Sequence, residues 1–207
     1  MLIDLSQFIL FVTGTVLVNL TPGCDVMFVV SQSLIHKRNG VLSALGISTG
    51  ILVYIGLTIA GLTVIIQHST IVFNLLKIAG ATYLLYLAFK AFRAKPHFEL
   101  GTKQTQSTGL SSYYRAVLTN LLNPKVGLFF LTFLPQFVNP AKGHIEQQLL
   151  ILGTVFLVSA TCVNLLYALL FSFFKDKLLK SEVFARYCNK STGTIFLAMA
   201  ADVMLEV

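Results

Sequence analysis

Long apolar runs alternate with short polar connections along nearly the whole chain. Six runs of about 20 residues cover positions 5–30, 41–66, 71–92, 113–138, 147–174 and 191–205. Each run is long enough, or nearly so, to cross ~30 Å of hydrocarbon as a helix. The pattern therefore predicts an all-α integral membrane protein, with six transmembrane helices in a single transmembrane domain at 1–207.

One polar segment, at about 95–112, interrupts this pattern. It is too short and too poor in apolar residues to fold alone, so we expect a loop there. The loop separates a first half at about 1–94 from a second half at about 113–207. Because no lysine or arginine precedes Lys37, the first apolar run lacks the basic start of a cleaved signal peptide and is expected to remain as a span.

Composition and charge agree with a multi-pass membrane protein. Hydrophobic residues make up 56% of the chain and charged residues only 11%, whereas soluble domains carry about 25% charged residues. The net charge of +7 arises mostly from basic residues that lie on one side if all six runs span. By the positive-inside rule that side is cytoplasmic, which places both termini in the periplasm. Topology thus accounts for the basic charge, and the expected partner is the lipid bilayer rather than nucleic acid.

Residues typical of catalysis, metal binding or nucleotide binding do not form recognisable motifs. Cys24, Cys162 and Cys188 include no C-x-x-C pair, and the four histidines are never paired on a helical face. A phosphate-binding loop and the common hydrolase motifs are also missing. We therefore expect no catalytic residues, no metal site and no cofactor.

Two of the apolar runs contain residues that break helices. The first run includes NLTPGCD at 19–25, and the fourth includes NLLNPKV at 120–126. Thr21-Pro22 and Asn123-Pro124 each place a good N-cap side chain before a proline, which is the local signature of a helix beginning. The first and fourth spans are therefore each predicted to consist of two half-helices.

The position of the two breaks predicts the topology. Backbone groups at a break in hydrocarbon need protein or a water-filled cavity to receive them, so both breaks should face the interior. Each half of the chain is a unit of three spans whose first span contains a break. Because three is an odd number, the second unit enters the membrane from the opposite side to the first. This arrangement predicts two inverted three-helix repeats with broken helices 1 and 4 around a substrate, as in many secondary transporters.

The candidate substrate-binding or ion-binding residues lie at these breaks. They are Asn19, Thr21, Pro22, Gly23 and Asp25 in the first break, and Asn120, Asn123, Pro124 and Lys125 in the second. A charge at mid-bilayer costs about 2.5 to 3.5 kcal/mol, so the two charged residues need a reason to be there. As a hypothesis, Asp25 binds the substrate amine or a coupling proton and Lys125 binds the substrate carboxylate. Half-helix N-termini also attract anionic groups.

Structural roles are alternatives for the same residues. Prolines kink transmembrane helices without binding anything, and Asp25 and Lys125 can form an ion pair that only holds the helices together. Gly46 and Gly50 in the second run form a G-x-x-x-G pattern that lets helices approach closely. Asn164 in the fifth run is expected to hydrogen-bond between helices more readily than to contact a ligand.

At the two breaks the chain resembles the LysE/RhtB family of bacterial amino-acid exporters, of the homoserine, threonine and lysine efflux type. That family has T-P-G-P-[ND] in its first span and N-P-K in its fourth. The matching positions are Thr21, Pro22, Gly23, Asp25, Asn123, Pro124 and Lys125, and similarity continues over nearly the whole chain, including 76–94 and 121–138. Cys24 replaces the usual second proline, Ile51 stands where a polar or acidic residue is frequent, and the tail at 198–207 lacks the usual ending.

The resemblance implies a transporter rather than an enzyme. It implies secondary-active export of an amino acid or derivative from the cytoplasm across the bacterial inner membrane, coupled to protons. The missing nucleotide motif independently favours a gradient over ATP. Two other classes remain open: a membrane-embedded thiol-disulfide electron carrier that uses Cys24, and a non-transporting regulatory membrane protein of the same fold.

Overall fold

A computed structural model describes residues 2–21, 23–68 and 108–173 of the chain. It also describes isolated positions, namely Leu75, Ile78, Thr82, Leu85, Tyr86, Phe89, Arg93, Thr194 and Leu197. Within these residues all regular secondary structure is helical, which confirms the all-α class. The predicted third and sixth spans and most of the polar loop lie outside the described ranges.

The first apolar run forms two helices. Helix α1 covers Leu5–Leu20 and helix α2 covers Cys24–Ile35. Their axes differ by 47° across the short break. The predicted helix break in the first apolar run is thus confirmed, and the second half-helix extends five residues beyond the predicted end at Val30.

The fourth apolar run is broken in a similar way. Helix α4 covers Gly109–Leu121 and helix α5 covers Pro124–Leu128. The chain then continues as a π-helical turn at Phe129–Phe133 and a 3-10 turn at Leu134–Phe137, and the two halves again differ by 47°. The polar loop ends earlier than predicted, because Thr108 accepts a hydrogen bond from the Ser111 amide and caps α4 there.

Two long helices accompany the broken pairs. Helix α3 covers Lys37–His68, and helix α6 covers Ile145–Phe173 after a short 3-10 turn at Pro140–Lys142. Within the described ranges, two helices are long and apolar enough to cross a membrane, or four segments if each bent pair counts as one span.

Helix α3 lies at the centre and packs against α2, α4 and α6. Its approach to α4 depends on two glycines. A Cβ atom on Gly46 would lie 2.4 Å from the carbonyl oxygen of Tyr113, and one on Gly50 would lie 2.4 Å from Oδ1 of Asn120. The G-x-x-x-G pattern therefore serves close helix packing, as predicted.

An aromatic cluster fills the core beside the second break. Phe11 of α1 packs against three rings that follow α5, with centroid separations from 5.1 to 6.2 Å. One of these rings, Phe129, packs in turn against Phe156 of α6 at 4.3 Å. The cluster comprises Phe11, Phe129, Phe130, Phe133, Phe137 and Phe156, all buried. It joins α1 to the turns that follow α5, and these turns to α6.

Candidate functional site

A small cavity lies where the two helix breaks meet. Its polar lining is Asn19, Gly23, Asp25, Asn123, Lys125 and Asn164, and its apolar lining is Val18, Val26, Ile47, Ile51, Val126, Phe156 and Ala160. The cavity volume is about 20 Å³, which is room for one or two water molecules. Sites for small organic ligands occupy about 300 to 1,000 Å³, so this conformation is closed around its centre.

The second break forms as the sequence predicts. Asn123 is the N-cap of α5, and its Oδ1 accepts a hydrogen bond of 3.0 Å from the Lys125 amide. Pro124 occupies the first helical turn, where its missing N–H costs nothing. The local signature of a helix start was therefore sufficient here.

The first break forms differently from the prediction. Thr21 does not cap α2, because the N-cap is Gly23 and makes no side-chain cap bond. Instead the Thr21 hydroxyl donates to the carbonyl of Leu17 at 2.9 Å, and the Thr21 amide also bonds back into α1. Thr21 thus closes the end of α1, while Pro22 lies outside the described residues.

Lys125 reaches across from the second break to the first. Its Nζ donates to the carbonyl oxygens of Val18 at 2.6 Å and Thr21 at 2.8 Å. These carbonyls form the C-terminal end of α1, which carries the negative end of the helix dipole. Backbone carbonyl oxygens therefore stabilise the positive charge of Lys125. Within the described structure, Lys125 forms no direct ion pair with Asp25.

Gly23 makes room for the Lys125 side chain. A Cβ atom at this position would lie 3.4 Å from Cδ and 3.7 Å from Nζ of Lys125. Both distances are ordinary van der Waals contacts, so an alanine would touch the lysine without displacing it. Gly23 is consequently part of the surface along which the lysine stem runs.

Asp25 is buried, with 8% of its surface exposed, and Asn120 holds its carboxylate. Asn120, which is fully buried in α4, donates from Nδ2 to Asp25 Oδ2 at 2.7 Å. The other carboxylate oxygen, Oδ1, has no hydrogen-bond partner among the described residues. Since Asn120 also packs against Gly50, the glycine of α3 sets the position of Asp25 through the asparagine.

Asn19 connects the first break to the fifth span. Its Nδ2 donates to the hydroxyl of Ser159 in α6 at 2.8 Å. The structure thus brings Asn19, Gly23, Asp25, Asn123 and Lys125 to one cavity. Thr21 and Asn120 do not line the cavity, but they hydrogen-bond to Lys125 and Asp25, respectively. Pro124 begins α5 and also lies outside the lining.

Two tyrosines donate hydrogen bonds to the ends of the broken helices, which the sequence analysis did not predict. Tyr54 of α3 donates to the carbonyl of Leu121, the last residue of α4, at 2.9 Å. Tyr167 of α6 donates to the carbonyl of Leu20, the last residue of α1, also at 2.9 Å. The C-terminal ends of α1 and α4 are therefore each capped by a tyrosine hydroxyl from a long helix elsewhere in the chain. A tyrosine in an apolar run gives no sequence signal for such a bond.

Cysteine or metal chemistry finds no support in the described part of the chain. Cys24 and Cys162 are free, and no cluster of three His, Cys, Asp or Glu side chains that could hold a metal ion is present among the described residues. Cys188 lies outside them. The polar groups that converge at the breaks are instead carboxylate, amide and ammonium groups, which suit a small polar ligand.

Comparison with known proteins decides the class. The sequence profile of a family described as LysE type translocator matches residues 16–207. The chain belongs to the LysE type translocator family. It is accordingly a membrane transporter and not an enzyme.

The relatives of this LysE type translocator agree with the family assignment. The homoserine/homoserine lactone efflux protein of Salmonella typhimurium is 34% identical over 94% of the chain and 93% of its own length. The leucine efflux protein of Enterobacter sp. is 30% identical over 94% and 93% of the two chains. An uncharacterized membrane protein of Bacillus subtilis, YrhP, is 34% identical over 89% and 92%. No solved structure matches the chain.

Proposed function

We propose that this LysE type translocator exports an α-amino acid or a derivative across the bacterial cytoplasmic membrane, coupled to the proton gradient. The observation that carries the proposal is the convergence of Asp25 and Lys125 on one closed cavity between two helix breaks. A carboxylate and an ammonium group in one site complement the two charged groups of an amino acid. The efflux activities named for two relatives support the same direction of transport.

The whole chain, in this proposal, is one membrane domain of six spans built as two inverted three-helix repeats. Contacts of residues at matching positions in α3 and α6 support this, because they are those expected beside a pseudo-twofold axis. The hydroxyls of Ser48 and Thr161 lie 2.7 Å apart and are 113 residues apart in the chain. The same spacing relates the two tyrosines that cap the breaks, Tyr54 and Tyr167. Equivalent residues touch each other only near a twofold axis.

The cavity lining follows the same spacing. Ile47 and Ile51 of α3 line the cavity on one side, and Ala160 and Asn164 of α6 line it on the other. Each member of the first pair is again 113 residues before its counterpart. A substrate site on the axis, reached in turn from each side, is the arrangement that alternating access requires. With the basic residues of the connections on the cytoplasmic side, both termini are periplasmic.

Binding of substrate competes with contacts inside the closed cavity. The substrate carboxylate would take the Lys125 ammonium from the carbonyls of Val18 and Thr21, because a charged acceptor makes the stronger hydrogen bond. Asp25 would receive the substrate amine or the coupling proton. Among the described residues that line the cavity, Asp25 and Lys125 are the only charged ones, so the lining favours a substrate with a neutral side chain over one with a basic side chain.

Transport in proteoliposomes tests this function. Vesicles containing the purified protein are loaded with labelled leucine, homoserine or lysine, and efflux is followed with and without an imposed pH gradient. We expect gradient-dependent efflux of a neutral amino acid by the parent and at least a tenfold loss in Lys125→Ala. Lys142→Ala is the matched control, since Lys142 pairs with Asp4 at 2.6 Å outside the cavity and such exposed pairs contribute little.

Asp25→Asn separates the two roles of the carboxylate. If Asp25 carries the proton, the variant should keep exchange of labelled for unlabelled substrate and lose the response to the pH gradient. If Asp25 binds the amine, both activities should fall together. Efflux that is absent for every amino acid in the parent, or unchanged in Lys125→Ala, would reject the proposed function.

A further inference from the structure

Buried oxygen atoms without a donor mark the cavity between the breaks. Of the buried side-chain oxygens that lack a hydrogen-bond partner among the described residues, two belong to residues of the cavity lining. They are Oδ1 of Asp25 in α2 and Oδ1 of Asn164 in α6. Leaving a buried acceptor without a hydrogen bond is unfavourable, so both atoms need a donor.

The orientation of Asn164 is fixed by its own helix. Its Nδ2 donates to the carbonyl of Ala160 at 2.9 Å. Because a carbonyl oxygen accepts and does not donate, the amide nitrogen must be the atom on that side. The amide oxygen is consequently the group that remains unbonded, and the side chain is 5% exposed. The sequence predicted a hydrogen bond from Asn164 to another helix, whereas the described bond is to a carbonyl of its own helix.

Two donor side chains of the cavity lining are already engaged. Asn19 donates to Ser159, and Lys125 donates to two backbone carbonyls of α1. On α3, the position related to Asn164 by the 113-residue spacing is Ile51, which offers no polar atom. Among the side chains of the lining, Asp25 in α2 and Asn164 in α6 are the two that carry a buried oxygen without a hydrogen-bond partner in the described structure.

We propose that Asp25 and Asn164 together bind the ammonium group of the substrate. A protonated amine is the part of an amino acid that brings several N–H donors to one point, and it matches two acceptors from different helices. The inference rests on the proposed function and deepens it by assigning Asn164 as a residue that recognises the amine. It also places the amine between the first broken span and the fifth span.

Asn164→Leu tests this subsite, because leucine is similar in size and has no acceptor. In proteoliposomes from protein shown to be monodisperse, we would measure the KM for the best neutral amino acid. We would also measure the inhibition constant of the 2-hydroxy acid that replaces its amine by a hydroxyl. The expected result is a 10- to 100-fold rise in KM, with the inhibition constant of the hydroxy acid changed less than threefold.

Thr154→Val is the matched control on the same helix. The Thr154 hydroxyl also bonds the carbonyl four residues earlier, at 2.7 Å to Leu150, but it is exposed and lies outside the cavity. The KM of Thr154→Val should equal that of the parent. Asn164→Asp retains an acceptor oxygen and should keep discrimination between the amino acid and the hydroxy acid.

The outcomes separate this inference from the proposed function. Transport by the parent with an unchanged KM in Asn164→Leu would overturn the amine subsite and leave export standing. An equal loss for amino acid and hydroxy acid would also overturn it, because a packing role or a bound water affects both ligands alike. If Asn164→Leu is not monodisperse, the test is Asn164→Asp, in which the KM for the amino acid is compared with the inhibition constant of the hydroxy acid. Discrimination between the two ligands that is kept supports the subsite, and discrimination that is lost overturns it. Absence of parent transport would reject the proposed function itself.

Discussion

At the scale of single residues, the position of Asp25 depends on a glycine that does not touch it. Gly50 leaves the space that Asn120 occupies, and Asn120 holds the carboxylate through a bond of 2.7 Å. A side chain at position 50 therefore acts on the site through a neighbour. The effect is steric and does not need a change of charge.

Gly50→Ala is expected to reduce transport at least tenfold. The added Cβ would lie 2.4 Å from Asn120 Oδ1, so Asn120 must shift, and overpacking of this kind costs about 1 to 3 kcal/mol. Transport rate and thermal stability of the purified protein are the measurements. Gly56→Ala is the control, because among the described residues no neighbouring atom lies within 4 Å of a Cβ at that position of the same helix, and the stability of this variant should be unchanged or slightly raised. Equal transport in both variants would contradict the role of Gly50.

Residue-level prediction from sequence succeeded where the signal was local. Asn123 and Pro124 form the predicted cap because both act within one turn of backbone. Thr21 precedes a proline in the same way, yet its hydroxyl finds the nearer carbonyl of Leu17 and Gly23 becomes the N-cap. The partner of Lys125 could not be predicted, because backbone carbonyls at a helix end look the same in every sequence.

At the scale of helices, the two breaks are stabilised by hydroxyl groups from the long helices. Tyr54 caps the end of α4 and Tyr167 caps the end of α1. A carbonyl at a helix end has no partner within its own helix, and in hydrocarbon water does not replace it. The breaks were predictable from their local residues, whereas these caps are long-range contacts and were not.

Tyr54→Phe and Tyr167→Phe should each destabilise the protein by about 1 to 3 kcal/mol, since each leaves one carbonyl unpaired. Unfolding in mixed micelles of mild and denaturing detergent would measure the change. Tyr114→Phe is a suitable control, because Tyr114 is exposed and its hydroxyl makes no hydrogen bond in the described structure. Losses of similar size in the two test variants would fit their equivalent positions. A loss in only one would show that the two breaks are closed differently.

At the scale of the whole molecule, the closed cavity requires the helices to move before a substrate can enter. The contact between Ser48 and Thr161 lies on the proposed axis, between α3 and α6. In a mechanism that exposes the site to each side in turn, the two halves move relative to each other at this contact. The contact is therefore a place where movement can be arrested.

A cysteine pair at positions 48 and 161 tests the movement. In a background without native cysteines, the double variant Ser48→Cys with Thr161→Cys should form a disulfide under mild oxidation, because the two hydroxyls are 2.7 Å apart. We expect the crosslink to reduce transport at least tenfold and a reductant to restore it. Each single variant serves as a control for the substitution itself. Full transport by the oxidised double variant would show that α3 and α6 stay fixed during the cycle.

The contacts that close each break come from the other half of the chain. Lys125 and Tyr167 serve the end of α1, whereas Tyr54 serves the end of α4. During synthesis, the first broken helix is complete long before residues 125 and 167 have left the ribosome. Its open carbonyls must meanwhile be shielded by water or by the insertion machinery. Assembly in the bilayer is thus tied to the arrival of the fifth span, and a chain truncated before it should be held back and degraded.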